Sequence, residues 1–270
     1  MLSCFYQEHE FIRVGYYVSN EYDCDRVVIE FCCGEDSYMC EHTRETEGCY
    51  LVRLTEKDDM TSETGMKKAI TALEIPAARK GRILLWASIP CTGGSVWNQF
   101  NWRKGTDYTR KRIENHWNLF GKLWNNFTKL ADRVIAVKGT VVNEWPHSCI
   151  YWEVPMVEIY LEKMNFKETT FQGCAYGMMS RKSYNRKNPK VRDDKGRRCL
   201  VLKTWKLAVH SETNDIREAM NKMCPGGHDH ARCQGKETKG TENYSWEIVS
   251  DVHRAFKSQC DKLKEGSVSR

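Results

Sequence analysis

Long hydrophobic runs are missing from this chain of 270 residues. No apolar stretch approaches the roughly 20 residues that a helix needs to cross a membrane, so we expect no membrane partner. The first ten residues also lack a positively charged start followed by an apolar core. That absence argues against a signal peptide, and we therefore expect an intracellular protein, cytoplasmic or nuclear, that is not secreted.

Cysteine, in contrast, is abundant, with 13 residues. Because no secretory leader is visible, we expect reduced thiols rather than a disulfide framework, with one candidate metal cluster among them. Hydrophobic residues make up 40% of the chain, which is enough for a packed core. The net charge of +6 permits an anionic partner without requiring one.

Short apolar runs alternate with segments of helical spacing along most of the chain. Residues 27–31, 48–54 and Ile83–Ala87 are typical of buried strands. Residues 107–133 predict one long helix, whose apolar stripe we interpret as core rather than as a platform for stacked bases. This alternation predicts an α/β fold with a doubly wound, Rossmann-like, mostly parallel sheet and helices on both faces. Further helices are predicted at 64–73 and 154–164, further strands at 134–142 and 200–209, and a strand followed by a turn at 169–177.

A cysteine follows the strand at Ile83–Ala87, in the sequence Pro90-Cys91-Thr92-Gly93-Gly94-Ser95. The carboxyl end of a strand is where ligands bind in open α/β sheets. Cys91, held between a proline and two flexible glycines, is therefore a candidate nucleophile. The alternative is a buried packing residue, since free cysteines are commonly buried.

Two other loops should lie at the same edge of the sheet, since the turns after parallel strands gather there. Within residues 30–37, the turn 32–37 contains Gly34 and two acids, which suit close approach of a ligand, although the complete Gly-x-Gly-x-x-Gly pattern is absent. Glu144 ends an apolar run, where a carboxylate is costly to bury without a purpose or a partner. The alternative for Glu144 is a cap on a following helix.

This order of motifs resembles the S-adenosylmethionine-dependent cytosine-C5 methyltransferases, as spaced short motifs over residues 26–150. Pro90-Cys91 is similar to the Pro-Cys of their catalytic loop, and Glu144 to the glutamate of their Glu-Asn-Val motif. Residues 30–34 are similar to their Phe-x-Gly-x-Gly turn, with one of its two glycines. Thr92 to Ser95 replaces the usual Gln-x-Phe-Ser, and the chain leaves no room for a large target-recognition domain, so it resembles a compact member.

The resemblance implies S-adenosylmethionine as cofactor, DNA or RNA as partner, and methyl transfer to C5 of cytosine. The Cys91 thiolate would add to C6 of the base, and Glu144 would stabilise the ring at N3. A base from a duplex would have to be flipped out, with basic residues of 103–112 on the phosphates. The implied cofactor residues are Glu30, Phe31, Gly34, Glu35, Asp58 and Pro90, and the implied substrate residues are Ser95, Trp97, Asn98, Asn101 and Arg103.

Three other functions remain open from the sequence. A methyltransferase of the same fold could act on another RNA or protein acceptor, with Cys91 only structural. Pro90-Cys91 together with Gln99-Phe100 also resembles thymidylate synthase, which adds a thiol to a free pyrimidine nucleotide. A degenerate methyltransferase fold could instead serve as a nucleic-acid-binding module of a virus or mobile element.

A second cluster lies near the C-terminus, where four candidate zinc ligands fall within ten residues: Cys224, His228, His230 and Cys233. Their spacing differs from that of the common zinc fingers. The alternatives to zinc are a local turn with incidental histidines and a knuckle that contacts nucleic acid. Residues 181–198 carry nine Lys or Arg against two Asp, which indicates a solvated loop or a phosphate-contacting loop.

The predicted organisation has three segments. Residues 1–24 form an N-terminal extension, residues 25–212 the methyltransferase-like α/β domain, and residues 213–270 a small Cys/His appendage whose C-terminal helix packs on the domain. No pattern indicates a protein partner.

Overall fold

The computed structural model describes residues 23–180, 199–231, 233, 238 and 241–268. Two predictions from the sequence fall largely outside these residues. They are the basic segment 181–198 and the N-terminal extension, of which only residues 23 and 24 are described.

Six strands form one central sheet, and two short strands form a second. In chain order the strands are β1 (Arg26–Phe31), β2 (Cys49–Leu54), β3 (Ile83–Ala87), β4 (Thr140–Pro146), β5 (Lys167–Gln172), β6 (Leu200–Val201), β7 (Thr204–His210) and β8 (His230–Ala231). The central order is β2-β1-β3-β4-β7-β5, and β6 pairs with β8. Pairing is parallel from β2 through β4, and β7 runs antiparallel to both of its neighbours. The prediction of an α/β fold with a mostly parallel sheet is confirmed.

Helices cover both faces of the central sheet. They are α1 (Glu63–Ala72), α2 (Pro76–Arg79), α3 (Val96–Lys104), α4 (Asp107–Ala136), α5 (Pro155–Lys163), α6 (Asp215–Ala219) and α7 (Trp246–Val268). Every residue of β1 and β3 is buried, as expected for strands covered on two faces. Phe120, Trp124 and Phe127 of α4 pack on one face, so the interpretation of this helix's apolar stripe as core is confirmed.

The C-terminal helix α7 covers the other face. Its residues Ile248, Val252 and Phe256 are fully buried against β1 and β3. Lys262 pairs with Asp215 of α6 at 2.5 Å, which fixes the helix at its outer side. Among the described helices, none has both the length and the apolar composition of a membrane-crossing segment. The described cysteines are thiols, with no disulfide between them.

Two apolar runs are divided differently from the prediction. The run 134–142 is split, because α4 continues to Ala136 and β4 begins only at Thr140. Lys138 turns the chain with a φ of +62°, and a Cβ at Gly139 would lie 2.7 Å from Val134. The run 200–209 also splits, into β6 and β7, which belong to different sheets. Lys203 lies at this second break.

Candidate functional site

The loop that carries Cys91 is fixed from the neighbouring strand β4 and the segment after it. The indole nitrogen of Trp145 donates to the Ile89 carbonyl at 2.7 Å. The backbone N–H of Ile150 donates to the Gly94 carbonyl at 2.8 Å. The backbone is therefore held on both sides of Cys91, as a site that positions one reactive atom requires.

Two glycines after Cys91 are required by packing. A Cβ at Gly94 would come within 2.9 Å of the Tyr151 ring, and one at Gly93 would overlap the hydroxyl of the same residue. The Tyr151 ring is itself fixed, because it stacks on Phe120 with centroids 3.7 Å apart. The Gly-Gly pair, which departs from the methyltransferase motif, thus lets the loop cross this ring.

The Cys91 thiol is partly buried at the carboxyl end of β3. Burial raises its pKa, the Lys203 ammonium opposes that effect, and the Glu144 carboxylate adds to it. Cys91 is therefore within electrostatic reach of both groups. The neutral thiol is favoured in this arrangement, and Lys203 is the group that favours the thiolate.

Glu144 lies inside β4 and is 6% exposed, so its alternative role as a helix cap is wrong. The Tyr244 hydroxyl donates to its Oε2 at 2.9 Å and accepts from the Trp86 indole N–H at 3.0 Å. Ser88 Oγ lies 2.6 Å from the same hydroxyl. Within the described residues, Oε1 of Glu144 has no hydrogen-bond partner.

Burial raises the pKa of Glu144 to about 7, opposed by Lys203 and by hydrogen bonds from Tyr244 and Ser88. A carboxyl group with that pKa carries its proton in roughly half of the molecules at neutral pH and in most of them below it. It can then donate a hydrogen bond or a proton to a ring nitrogen, which an ionised carboxylate cannot do.

Sequence reasoning missed Lys203. Its Nζ donates to Thr241 Oγ1 at 2.9 Å and lies 4.6 Å from the ring centroid of Trp205. Lys206, three residues on, also lies over a tryptophan, Trp152, at 4.4 Å. No local pattern distinguishes the two lysines, and only the break between β6 and β7 directs Lys203 to the site.

Among the predicted cofactor residues, Glu30 has the clearest unsatisfied group. Ser37 Oγ donates to Glu30 Oε1 at 2.5 Å, whereas the buried Oε2 has no partner in the described part of the chain. Burial raises the pKa of Glu30 to about 7. Phe31 is fully buried in the core, with its ring 5.9 Å from that of Phe127. The backbone turns sharply after it, at Cys32, with a φ of +63°.

The other predicted cofactor residues lie around the same strand ends. Asp58 is occupied by a capping interaction, since it accepts from the Thr55 N–H at 2.8 Å and from Lys68 at 3.2 Å. Glu35 is exposed and pairs with Lys57 at 2.5 Å. Gly34 lies beside Asp36 and Asn243, which bond to each other at 3.1 Å, and Pro90 precedes Cys91 in its loop.

The predicted substrate residues lie on or next to α3. Ser95 precedes the helix, which presents Trp97, Asn98, Asn101 and Arg103 and buries none of its residues. A cavity of about 640 Å³ separates α3 from α4. It is lined by Gly93, Asn98, Gln99, Trp102, Arg103, Ile113, Glu114, Trp117, Asn118 and Ile150. Asn98 and Arg103 thus face this cavity, whereas Trp97 is 68% exposed.

A second site is formed by four side chains that could hold a metal ion: Cys174, Cys224, His228 and His230. Their donor atoms all lie within 4.8 Å of one another. Sγ of Cys224 is 3.6 Å from Nε2 of His228 and 3.4 Å from Nε2 of His230. Gly226 and Gly227 adopt φ of +77° and +73°, so the short loop can bend around an ion.

The fourth group of this cluster is Cys174 and not the predicted Cys233. Cys174 lies in the 3-10 helix Gly173–Tyr176 directly after β5, and the Cys224 N–H donates to Gln172 at the end of β5, at 2.8 Å. Cys233 follows β8 and places its sulfur 3.8 Å from Thr241 Oγ1. The Cys233 sulfur therefore contacts a side chain outside the cluster, whose four donor atoms do not include it.

No protein-family model matches the chain, and no curated protein or solved structure is significantly similar to it. The two sites are therefore interpreted from their own residues.

Glu144→Gln is expected to change how stability depends on pH. Folded Glu144 keeps its proton up to about pH 7, whereas the unfolded carboxyl releases it near 4.5. The folded state therefore binds more protons between these values, and stability falls as pH rises through them. Glutamine cannot ionise and can still accept a hydrogen bond from Tyr244. The free energy of unfolding of the variant should therefore exceed that of wild type by up to about 3 kcal/mol at pH 8 and equal it at pH 4.

Urea unfolding at pH 4 and pH 8 measures this difference. Glu30 titrates over the same range in both proteins, so only the difference between wild type and variant reports on Glu144. An equal pH dependence of the two proteins would contradict the assignment.

Proposed function

We propose that this protein transfers a methyl group from S-adenosylmethionine to C5 of cytosine in nucleic acid, with Cys91 as nucleophile and Glu144 at N3 of the base. One observation carries the proposal. Cys91 follows β3 and Glu144 lies in the adjacent parallel strand β4. Burial raises the pKa of both groups, and the Lys203 ammonium opposes that rise in both. A thiol, a carboxyl group and a cation therefore interact electrostatically near the edge where α/β folds bind ligands.

The topology is compatible with this function. The chain order reverses between β1 and β3, which is the switch point where doubly wound sheets bind cofactors. Fold alone does not establish activity, so the proposal depends on the site residues.

The roles of the side chains follow from their surroundings. The Cys91 thiolate, favoured by Lys203, would add to C6 of the base and make C5 nucleophilic. Glu144, protonated near neutral pH, would bind N3 and compensate the charge that develops on the ring. S-Adenosylmethionine, when bound, supplies the electrophilic methyl group. After methylation a base removes the C5 proton, and the Cys91 sulfur leaves.

Some of the residues predicted to bind S-adenosylmethionine have groups that could contact it, and others do not. Oε2 of Glu30, which has no hydrogen-bond partner among the described residues, is a buried acceptor at the end of β1 that could bind an ammonium or hydroxyl group. The turn after Phe31 allows backbone N–H groups to approach a ligand. Phe31 itself lies in the core, and both carboxylate oxygens of Asp58 have partners. We therefore assign the cofactor contact to Glu30 and to residues 32–37.

A second function is favoured by one specific observation. Glu144 is covered by Tyr244, so a base reaches it only after the segment around Tyr244 moves. A protein that never makes that movement would be a degenerate methyltransferase fold that binds nucleic acid, as in a virus or mobile element.

For the metal site we propose zinc. Two sulfur and two imidazole ligands are a common structural zinc set. Bonds of about 2.3 Å to sulfur and 2.0 Å to nitrogen at tetrahedral angles place S and N about 3.5 Å apart. The two observed S–N distances, 3.6 and 3.4 Å, agree with this value.

The methyl-transfer assay tests the proposed function. Labelled S-adenosylmethionine is supplied with DNA, RNA or free nucleotides, and label at C5 of cytosine in DNA or RNA is the expected product. The cofactor alone should raise the melting temperature. Label on another acceptor would indicate a different methyltransferase. Absence of both transfer and the melting shift, with nucleic-acid binding retained, would favour the binding module.

A further inference from the structure

The helix that follows the Cys91 loop exposes an unusual number of aromatic side chains. Trp97 is 68% exposed, Phe100 54% and Trp102 41%, and Tyr108 at the start of α4 is 76% exposed. Since α3 buries none of its residues, these rings are not needed to hold the sheet together. We call these four exposed side chains, on α3 and at the start of α4, the aromatic patch. Large exposed apolar groups of this kind often mark a binding site.

Positive charge surrounds these rings. Arg103 and Lys104 end α3, and Arg112 lies in the first turns of α4. Within the described residues these three have no carboxylate partner, whereas the neighbouring Arg110 and Lys111 pair with Asp107 and Glu114. Lys104 lies 5.2 Å from the ring centroid of Phe100, so cation and aromatic ring are on the same surface.

The patch is continuous with the cavity between α3 and α4. The rings of Trp102 and Trp117 line part of its wall. Its amide groups come from three side chains: Asn98, Gln99 and Asn118. The cavity of about 640 Å³ lies within the usual size range of ligand pockets. Gly93, which also lines it, is two residues from Cys91. An apolar wall with a few amides suits a planar ligand that has hydrogen-bonding edges.

We propose that α3 and the start of α4 bind single-stranded nucleic acid. Unstacked bases would lie on Trp97 and Phe100, phosphates would contact Arg103, Lys104 and Arg112, and one base would enter the cavity toward Cys91. A duplex fits this surface less well, because its bases are already stacked on one another and present phosphates outward. This inference takes a nucleic-acid substrate from the proposed function and specifies its strand state.

The test is a binding measurement by fluorescence anisotropy with labelled single-stranded DNA, single-stranded RNA and duplexes of the same sequence. It uses the full chain without S-adenosylmethionine. We expect at least one single strand to bind about tenfold or more tightly than its duplex. Replacing Trp97 and Phe100 together by alanine should weaken that binding by roughly 30-fold or more, since stacking is typically worth about 1–3 kcal/mol per base and two bases lose their platform. Arg103→Ala should lower the slope of log affinity against log salt.

Ile159→Ala is the matched control. Ile159 is a large apolar residue, 64% exposed, on α5. Its replacement should leave binding unchanged, and circular dichroism and melting of all variants should match wild type because the replaced side chains are exposed.

Two results would overturn the inference: equal affinity for single strands and duplexes, or equal effects of the aromatic and the control variants. An aromatic double variant that alters only self-association, measured by sedimentation, would assign the patch to a protein contact instead. Binding and methyl transfer together separate the two proposals. Cys91→Ser should bind single strands as wild type does, because the change lies outside α3. If wild type binds single strands but transfers no methyl group, the proposed chemistry is refuted and the single-strand site is kept.

Discussion

Cys91→Ser is expected to abolish covalent capture of an oligonucleotide that contains 5-fluorocytosine and to reduce methyl transfer by on the order of 10⁴-fold or more. A hydroxyl is a far weaker nucleophile than a thiolate, and removal of a catalytic nucleophile typically has effects of this size. The fluorine replaces the C5 proton that must leave, so the wild-type adduct should persist. Mass spectrometry of the protein–oligonucleotide adduct and the labelled-methyl assay measure the two effects.

Cys149→Ala is the control for this experiment. Cys149 is a buried thiol whose pKa is raised by burial and further by Cys91 and Glu144, so it belongs to the same region. It should retain both adduct and methyl transfer if Cys91 is the nucleophile. An adduct that survives in Cys91→Ser, or that disappears only in Cys149→Ala, would contradict the assignment.

Cys174→Ala is expected to lose zinc, whereas Cys233→Ala should keep it. Even residues that only orient metal ligands typically contribute 10- to 100-fold to affinity, so loss of a direct ligand should cost more than about 100-fold. The metal also stabilises the folded state, because an unfolded chain holds no preformed site. The melting temperature of Cys174→Ala should therefore fall clearly below that of Cys233→Ala.

Elemental analysis after purification without added metal measures zinc per chain. A chelator should lower the melting temperature of wild type and of Cys233→Ala but leave Cys174→Ala unaffected. Equal zinc content of the two variants would refute the four-residue site. Loss of zinc only in Cys233→Ala would favour the ligand set expected from sequence proximity.

Local patterns were enough to predict the centre of the sheet. β3 is apolar at all five positions and β1 at four of six, because both of their faces are covered, and such runs are visible in a single sequence. The long helix α4 was predicted because its buried residues recur with helical spacing. The reversed direction of β7 could not be predicted, since a strand has the same apolar pattern whichever way it runs.

The site shows the same division between local and distant information. The prediction that Cys91 and Glu144 share one edge followed from the rule that parallel strands end there, and the electrostatic effect of Glu144 on the Cys91 pKa is consistent with it. Lys203, Tyr244 and Cys174 were missed, because each reaches its partners from far along the chain and none belongs to a local motif. Cys233 was predicted instead of Cys174 for the same reason, since distance along the sequence stood in for distance in space.

The contact between Trp86 and Tyr244 joins residues 158 positions apart. At a translation rate of roughly 5–20 residues per second, about ten to thirty seconds pass between the synthesis of one and of the other. For the last 100 residues of that interval Glu144 is already made but its hydroxyl donor does not yet exist. The nascent chain therefore completes this polar cluster late, and ribosomal pausing between β4 and α7 would prolong the time for which a buried acid lacks its partner.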